Sequence, residues 1–359
     1  PAYPGRRMTL WADAGWDYNP GAAGAAQISD LVATKLEKLP QKLTQVVTAE
    51  PLRQLPVVTP KPATYWDSTT PAGRWHDASF ANAPTWLKEK IASVGDPKAV
   101  TTTPGSGASC SWRQSIEMGT KQDSNPRAQA TWRHEYGHHI DGNLHPTLTY
   151  ASADTGFTVA MKVDAERLVK GSALGHPSVA TDARRLLLER SYRDAAAAIA
   201  GAGKPEEWLT ERFARHGIDY AEAVRALRQH TVFANALQGV ELAQRLARIA
   251  TAFELGDAQG LMDALLGKGD WKEVSICGSM GVCSSLSDLI GSVTRNKVAG
   301  VELSGWGHKT SYYRAHAMMA GTEVWANLTC LYGEGGLFWQ RVVEHFTPET
   351  SRAFLEVMT

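Results

Sequence analysis

Residues 134–138 read His-Glu-Tyr-Gly-His, and this short run constrains the fold more than any other part of the chain. Histidines four residues apart on a helix project from the same face, one turn apart. The imidazoles of His134 and His138 could then bind one zinc ion at about 2.0–2.1 Å each. Glu135 is placed to reach a water on the metal and act as a general base. The alternative is a capped surface helix that is merely rich in histidine.

The residues around the motif predict a helix over 126–141. Asn125 suits the N-cap position, Pro126 the first helical position, and Gly142 the position just past the end. A helix of this length has about four turns, which is enough to span the core of a small domain.

Two further polar residues follow the second histidine of the motif. Asp141 shares the metal-facing side of the helix. It either orients a ligand imidazole or lies near solvent at the helix end. His139 points about 100° away from His138, so we expect it to be structural or exposed.

The third zinc ligand must come from another part of the chain. Catalytic zinc usually takes three protein ligands and leaves one position for water. The extended motif H-E-x-x-H-x-x-G-x-x-H is excluded, because Asp141 stands at its glycine position and Leu144 at its last histidine position. The remaining common solution is a glutamate from a distant helix.

Glu323, within a helix predicted over 311–331, is the best candidate for that glutamate. Ala326 and Asn327 share its helix face. A small alanine lets two helices approach closely, and an amide can hold a carboxylate or a ligand imidazole in place. The alternative is that Glu323 is simply a solvated helical glutamate.

Four short runs together resemble a known family: H-E-Y-G-H-H-I-D at 134–141, S-D-L-I at 287–290, Gly307-His308 with Tyr312-Tyr313, and E-V-W-A-N at 323–327. They are similar to the zinc-metallopeptidase-like domain of phage minor head (Mu F-like head morphogenesis) proteins, and more broadly to gluzincin-type zincins. The resemblance covers about 100–150 and 275–335. It implies that His134, His138 and Glu323 bind zinc, that Glu135 is the base, and that phage head or portal proteins are partners.

A peptide hydrolase also needs a donor that stabilises the oxyanion developing on the scissile carbonyl. Tyr313, Tyr312 and His308 precede Glu323 in the sequence and are the candidates, with His316 behind them. Each of these side chains could instead pack or cap the start of a helix.

The segment 108–118 has apolar residues at 112, 116 and 118, an incomplete alternation that predicts a half-buried strand. In zincins an edge strand beside the active-site helix pairs with an extended substrate through main-chain hydrogen bonds. By analogy, this strand is the candidate for that role, with 103–107 as a turn or lip before it.

The charge balance argues against some partners. The 359 residues include 37 Lys and Arg and 37 Asp and Glu, so the formal net charge is zero. We therefore expect no broad electrostatic binding to nucleic acid or anionic membranes. A run of about 18 apolar residues is missing, so no transmembrane helix is expected. No apolar signal core is visible at the start, so export by a classical signal is not expected unless the signal has already been cleaved. The resemblance to phage proteins implies a location in the host cytoplasm or in a virion.

The four cysteines are scattered at 110, 277, 283 and 330. Cys277 and Cys283 are six apart, which is not the spacing of a zinc ribbon or a redox pair. A disulfide between these two is one option, but the sequence favours buried or free thiols in a reducing compartment.

Composition and periodicity divide the chain into four parts. Residues 1–100 form an extended N-terminal arm with short helices at 28–39 and 84–94, and a proline-rich extended stretch at 51–76. Residues 101–155 and 270–359 form the two halves of an α+β zincin-like core, which contains the active-site helix and a small mixed sheet. Residues 156–269 show helical spacing and predict an inserted bundle of about four to six helices.

The sequence leads to two main functional hypotheses. The first is a zinc-dependent metalloendopeptidase that acts on protein or peptide substrates. The second is a phage virion or head-assembly protein that keeps the zincin site as a structural staple, with little or no turnover. A metallopeptidase-like toxin or effector is a third reading, which the sequence does not separate from the first.

Overall fold

A computed structural model describes residues 71–104, 108–111, 115–119, 128–144, 150–171, 179–229, 239–266, 281–298, 307–315 and 318–359. All of them belong to one compact unit that spans Ala63–Thr359. The predictions for 1–70, for Asn125 and Pro126, for His316 and for Cys277 lie outside the described residues.

The described elements are mainly helical, and we number them in chain order. They are α1 (Pro71–Phe80), α2 (Thr85–Val94), β1 (Ala99–Thr103), β2 (Ala108–Ser111), β3 (Ser115–Gly119), α3 (Ala128–Asn143), α4 (Thr155–Gly171), α5 (Val179–Gly201), α6 (Pro205–Ala214), α7 (Tyr220–Gln229), α8 (Val240–Leu255), α9 (Ala258–Leu266), α10 (Gly281–Thr294), α11 (Thr310–Ala315), α12 (Met319–Gly333), α13 (Leu337–Phe346) and α14 (Pro348–Met358), with a short 3₁₀ turn at Ala151–Ala153.

The three described strands form a small mixed sheet in the order β1-β3-β2. β1 runs parallel to β3, whereas β2 runs antiparallel to it with Cys110 opposite Ile116. The segment predicted as one strand over 108–118 is therefore two strands. Ile116 and Met118 are fully buried, and β2 and β3 both contact α3. The coarse α+β prediction with a small mixed sheet is confirmed.

The core of the described unit is the packing of α3 against α12, which in turn packs against α10. Gly137 makes the first contact close: a Cβ atom at this position would lie 2.7 Å from Cα of Ala326. Only a glycine lets the two backbones approach so closely. The small residue at 326, noted from the sequence, is the partner in this contact.

The region 156–269 contains α5 to α9 and nearly all of α4, so its described residues are mainly helical, in line with the periodicity. Its apolar residues recur at helical spacing and are buried at Phe213, Leu246 and Ile249. Leu186 and Leu187 are largely exposed, whereas Leu188 is buried. The description of this region as an insertion between two halves of a core stays a prediction.

The end of the predicted N-terminal arm is partly helical. α2 begins directly after Pro84, close to the prediction for 84–94. In contrast, the stretch predicted to be extended up to residue 76 is helical from Pro71, because α1 starts there. The ring centroid of Trp75 lies 6.0 Å from that of Trp132, so α1 packs against α3 on the face that carries Trp132.

The cysteines differ from the prediction at one position. Cys110 and Cys330 form no disulfide, but Cys283 is disulfide-bonded. The prediction of free thiols is therefore wrong for Cys283, at the start of α10. Within the described ranges, no helix is long and apolar enough to cross a membrane.

Candidate metal centre

The H-E-x-x-H run lies on α3, as the sequence predicts. The helix extends past Gly142 to Asn143, further than expected, and the N–H of Leu144 still donates to the carbonyl of Ile140. Asn143 supports this last turn, since its amide donates to the carbonyl of His139. The imidazoles of His134 and His138 meet edge to face with centroids 4.8 Å apart.

Glu323 on α12 faces both histidines. Its Oε2 lies 3.2 Å from Nε2 of His134 and 3.7 Å from Nε2 of His138. Ligand atoms about 3.3 Å apart are what a tetrahedral ion with bonds of about 2.0–2.1 Å requires. These three side chains therefore form a group that could hold a metal ion. The predicted His₂Glu set is brought together by the fold.

The electrostatics of this group suit a cation. Glu323 is buried, and its Oε2 has no hydrogen-bond partner among the described residues. An orphaned carboxylate oxygen next to two ring nitrogens is costly unless a cation or proton satisfies it. Burial raises the pKa of Glu323, but the neighbouring His138 and His134 outweigh it and lower the pKa overall. The carboxylate is thus held ionised, as a ligand must be.

The two histidines respond differently to the same carboxylate. Burial lowers the pKa of His138 to about 4, so its ring is neutral near pH 7 and offers a lone pair. For His134 burial acts in the same direction, but the adjacent carboxylate of Glu323 outweighs it and raises the pKa overall. Metal binding must therefore displace a proton at His134.

Asn327 orients His134 from behind. Its Oδ1 lies 3.0 Å from Nδ1 of His134. A ligand histidine normally donates its second ring N–H in this way, which fixes the nitrogen that faces the metal. The sequence left open whether this amide holds a carboxylate or an imidazole, and Asn327 contacts both the ring of His134 and the carboxylate of Asp288.

Glu135 is buried beside the ligands. Burial raises its pKa to about 7, against the opposing charge of His134. A carboxyl group with a pKa near neutrality can both accept and return a proton, which is what a general base in hydrolysis does. Its role as the base stays a prediction.

The two other polar residues of α3 have structural roles. Asp141 is buried and accepts hydrogen bonds from the backbone N–H and the hydroxyl of Ser152. It therefore neither orients an imidazole nor faces solvent, but ties the 3₁₀ turn to α3. His139 is buried, and its Nε2 lies 2.9 Å from the carbonyl oxygen of Gly95, in line with the structural role expected for it.

His308 and Tyr312 form the opposite wall of the site. Their rings stack with centroids 4.1 Å apart. The hydroxyl of Tyr312 donates to Oε1 of Glu323 at 2.7 Å, which leaves Oε2 for the ligand group. Burial lowers the pKa of His308, but the hydrogen bond with Asp288 and the charge of Glu323 raise it overall.

Tyr313 occupies a different environment from its neighbour Tyr312. It is buried, and its hydroxyl lies within hydrogen-bond distance of Ser292 and Asp288. It is not among the residues that line the cleft at the ligand group, whereas Tyr312 and His308 are. Among the oxyanion candidates, this position favours Tyr312 and His308 over Tyr313.

The cleft at the ligand group has a volume of about 220 Å³. Its floor is the ligand group with Glu135, and one side is residues 108–110 of β2. Sequence reasoning missed the remaining wall, which is formed by Tyr150, Met319 and Thr322. Met319 lies four residues before Glu323, on the same side of α12, and Thr322 directly precedes it. Their proximity to Glu323 in the sequence could therefore have indicated that they lie at the site. Tyr150 belongs to no motif and carried no such indication.

Asp288 on α10 is the other residue whose role the sequence did not reveal. It forms a second group with His308 and Glu323, whose ligand atoms lie within 4.8 Å of one another. Asp288 belongs to the S-D-L-I run at 287–290, which contributes to the family resemblance, but the sequence assigned no role to it.

No model of a known protein family matches the chain, and no curated protein or solved structure matches it either. The residues of the site are therefore the basis for assigning a function. The resemblance to phage minor head proteins and gluzincins stays a prediction.

Proposed function

We propose that this chain is a zinc-dependent metalloendopeptidase that hydrolyses peptide bonds in protein or peptide substrates. The observation that carries the proposal is the convergence of His134, His138 and Glu323, with the buried carboxyl of Glu135 beside them. Three ligands of this kind are the set that a catalytic zinc site uses, because they leave one position open.

His134, His138 and Glu323 would hold the ion. Zinc, when bound, supplies Lewis-acid polarisation of the substrate carbonyl and makes water acidic enough to react near neutral pH. Glu135 takes the proton of the attacking water on its carboxylate and returns it to the leaving amine. Its pKa of about 7 suits both transfers.

His308 and Tyr312 are the donors for the developing oxyanion in this proposal. Nδ1 of His308 lies 3.2 Å from Oδ1 of Asp288, so Nε2 is the ring nitrogen that remains for the substrate. Tyr312 lines the same cleft, and its hydroxyl, which donates to Oε1 of Glu323, would have to turn to the oxyanion when substrate binds. A preorganised oxyanion donor is typically worth about 10²–10³ in kcat.

The substrate backbone would bind along β2. This strand is at the edge of the described sheet, and residues 108–110 line the cleft. An extended peptide can add to such an edge through main-chain hydrogen bonds. Among the described residues, the cleft lining includes Glu135 and Glu323 but no lysine or arginine, which favours neutral or cationic substrate side chains next to the scissile bond.

The test begins with metal analysis of purified protein, followed by cleavage of a peptide library by the zinc-loaded chain. We expect about one zinc per chain. Glu135→Gln should retain zinc while kcat falls by about 10²–10⁴. Glu166→Gln, an exposed glutamate on α4, is the matched control and should behave as the wild type.

Two outcomes would overturn the proposal. If the wild-type protein binds no zinc, the proposed metal site is wrong. If the Glu135→Gln variant cleaves as fast as the wild type, Glu135 is not the general base. A full complement of zinc without any cleavage would instead support the second hypothesis, a structural site in a virion or head-assembly protein.

A further inference from the structure

Asp288 is a buried acceptor that serves several donors at once. Its carboxylate receives the backbone N–H of His308 at 2.9 Å and the hydroxyl of Tyr313 at 2.9 Å. It also receives Nδ2 of Asn327 at 2.8 Å, and Nδ1 of His308 lies 3.2 Å away. Asp288 is 5% exposed, so water contributes little to holding it.

One branch of this network leads to the first zinc ligand. A carboxylate can only accept, so Asn327 must turn its NH₂ group towards Asp288 and its oxygen towards His134. Nδ1 of His134, 3.0 Å from that oxygen, must then carry a proton and donate. The lone pair of the neutral ring is therefore on Nε2, which faces Glu323. Asp288 thus fixes the tautomer of His134 without touching it.

The second branch leads to His308. Its backbone N–H bonds to Asp288, and its carbonyl accepts from Nδ2 of Asn296 at 2.9 Å. Gly307 makes this approach feasible: it has φ +114°, and a Cβ there would lie 2.6 Å from Oδ1 of Asp288. Asp288 lies on α10, and Asn296 follows the end of this helix by two residues. The backbone and the ring of His308 are therefore positioned by one helix.

We propose that Asp288 is a shared positioning residue that orients His134, through Asn327, and His308, directly, so that the metal ligand and the oxyanion donor are set by one carboxylate. The part that concerns His308 rests on the proposed peptidase function. The part that concerns His134 rests only on metal binding, so the two can be tested separately.

A second metal ion at Asp288, His308 and Glu323 explains the network less well. The hydrogen bonds from His308, Tyr313 and Asn327 already use both carboxylate oxygens of Asp288. A cation would have to displace several of them. The carboxylate of Asp288 is therefore already used as a hydrogen-bond acceptor, and it affects the site through the residues that donate to it.

The main experiment compares Asp288→Asn with the exchange variant Asp288→Asn/Asn327→Asp. In the single variant an NH₂ group replaces one of the two acceptor oxygens and faces a donor, either Nδ2 of Asn327 or the groups of His308 and Tyr313. Zinc affinity should then fall by about 10–100-fold, as for other residues that hold a ligand histidine. In the exchange variant the carboxylate at position 327 accepts directly from His134. Zinc affinity should then recover, whereas kcat stays low because His308 faces a neutral amide.

The readouts are zinc affinity by competition with a chelator, the absorption spectrum of the Co²⁺-substituted protein, and kcat where cleavage is observed. Ser285→Ala, on the same buried helix, is the control: its hydroxyl bonds to Cys330, and zinc affinity should not change. A change in the Co²⁺ spectrum of Asp288→Asn, reversed in the exchange variant, separates ligand orientation from general loss of stability.

If Asp288→Asn does not fold, Asn327→Leu and Asn296→Gly test the two branches one at a time. Asn327→Leu should lower zinc affinity. Asn296→Gly removes the hydrogen bond to the carbonyl of His308 without contacting Asp288, so it should lower kcat with zinc affinity unchanged. Folded Asp288→Asn or Asn327→Leu protein with wild-type zinc affinity would overturn the inference, even if cleavage persists. Wild-type protein that binds zinc but cleaves nothing would overturn only the peptidase proposal.

Discussion

The helix pairs α3–α12 and α5–α8 hold the fold together in opposite ways. Between α3 and α12 the backbones nearly touch at Gly137, and the contact buries charged groups such as Glu323. α5 and α8 bury apolar side chains at regular helical spacing, for example Leu188 and Leu246. The first pair builds a site, and the second stabilises the unit.

This difference determines what a substitution should do in each pair. In α5–α8 the loss of buried apolar volume should cost stability without changing metal binding, because the residues that could hold a metal lie on other elements. In α3–α12 the same contact sets the distance between ligands, so a change should alter metal binding as well as stability. The following predictions test this contrast.

The largest effect on stability is expected from Leu246→Ala in α8. Leu246 is fully buried, so the variant should lose about 2–5 kcal/mol of unfolding free energy through lost transfer energy and a cavity. Urea unfolding of metal-free protein measures this, and zinc affinity of the folded variant should be unchanged. Val240→Ala, at an exposed position of the same helix, is the control. If Leu246→Ala also lost zinc affinity, the proposed difference between α5–α8 and α3–α12 would be wrong.

The next effect is a pH dependence that comes from α3. Burial raises the pKa of Asp141 to about 7 from 3.8, against the hydrogen bonds from Ser152. The unfolded chain releases this proton first, so stability should fall as pH rises from about 4 to 7. About 3 pH units at about 1.4 kcal/mol each set an upper limit of about 4 kcal/mol.

Asp141→Asn should remove this part of the pH profile. Unfolding free energies of metal-free wild type and variant, measured from pH 4 to pH 7, should diverge, with the wild type losing more stability. Leu246→Ala is the comparison: its profile should run parallel to that of the wild type. Parallel curves for Asp141→Asn would show that this buried carboxyl does not set the pH dependence.

Gly137→Ala should have a smaller effect on stability but a specific one on the site. The added Cβ would lie 2.7 Å from Cα of Ala326, so α12 must shift, at a cost of about 1–3 kcal/mol. Zinc affinity should fall, because Glu323 moves with α12. Gly201→Ala in α5 is the matched control, since nothing lies within 4 Å of its Cβ. Zinc affinity that is equal in both variants would contradict the close-packing argument.

The smallest effect is expected at Leu186. It is 59% exposed despite its place in an apolar run, so Leu186→Ala should change the unfolding free energy by less than about 0.5 kcal/mol. Thermal unfolding of Leu186→Ala and Leu188→Ala compares an exposed and a buried leucine of α5, and only the second variant should lose much stability. A large loss at Leu186 would indicate that this face is covered.

The ligand pair on α3 and the third ligand on α12 could be predicted because each sits in a local pattern. Four-residue spacing gave His134 and His138, and a small residue with an amide on one face gave Glu323. Asp288 could not be predicted in its role, because its four contacts come from residues on other elements. A lone aspartate in a helix has no local signature for such a network.

The fold shows the same division between local and distant information. Helical spacing predicted the region of α5 to α8, although it could not tell the exposed Leu186 from the buried Leu188. The incomplete alternation predicted strand structure near 108–118, but the sequence did not predict the reversal between β2 and β3, since no Gly or Pro separates the two strands. Pro71 was counted with the extended prolines, yet a proline also suits the first turn of a helix.

The spread of the site along the chain determines when it can form during folding. His134 and its partner Asn327 are 193 residues apart. Contacts between such distant segments carry a loop-closure cost and slow folding. Synthesis proceeds from the N-terminus, so both histidines leave the ribosome long before Glu323 does. A nascent chain therefore holds an incomplete ligand set, and bound metal would report that α12 has been made and docked.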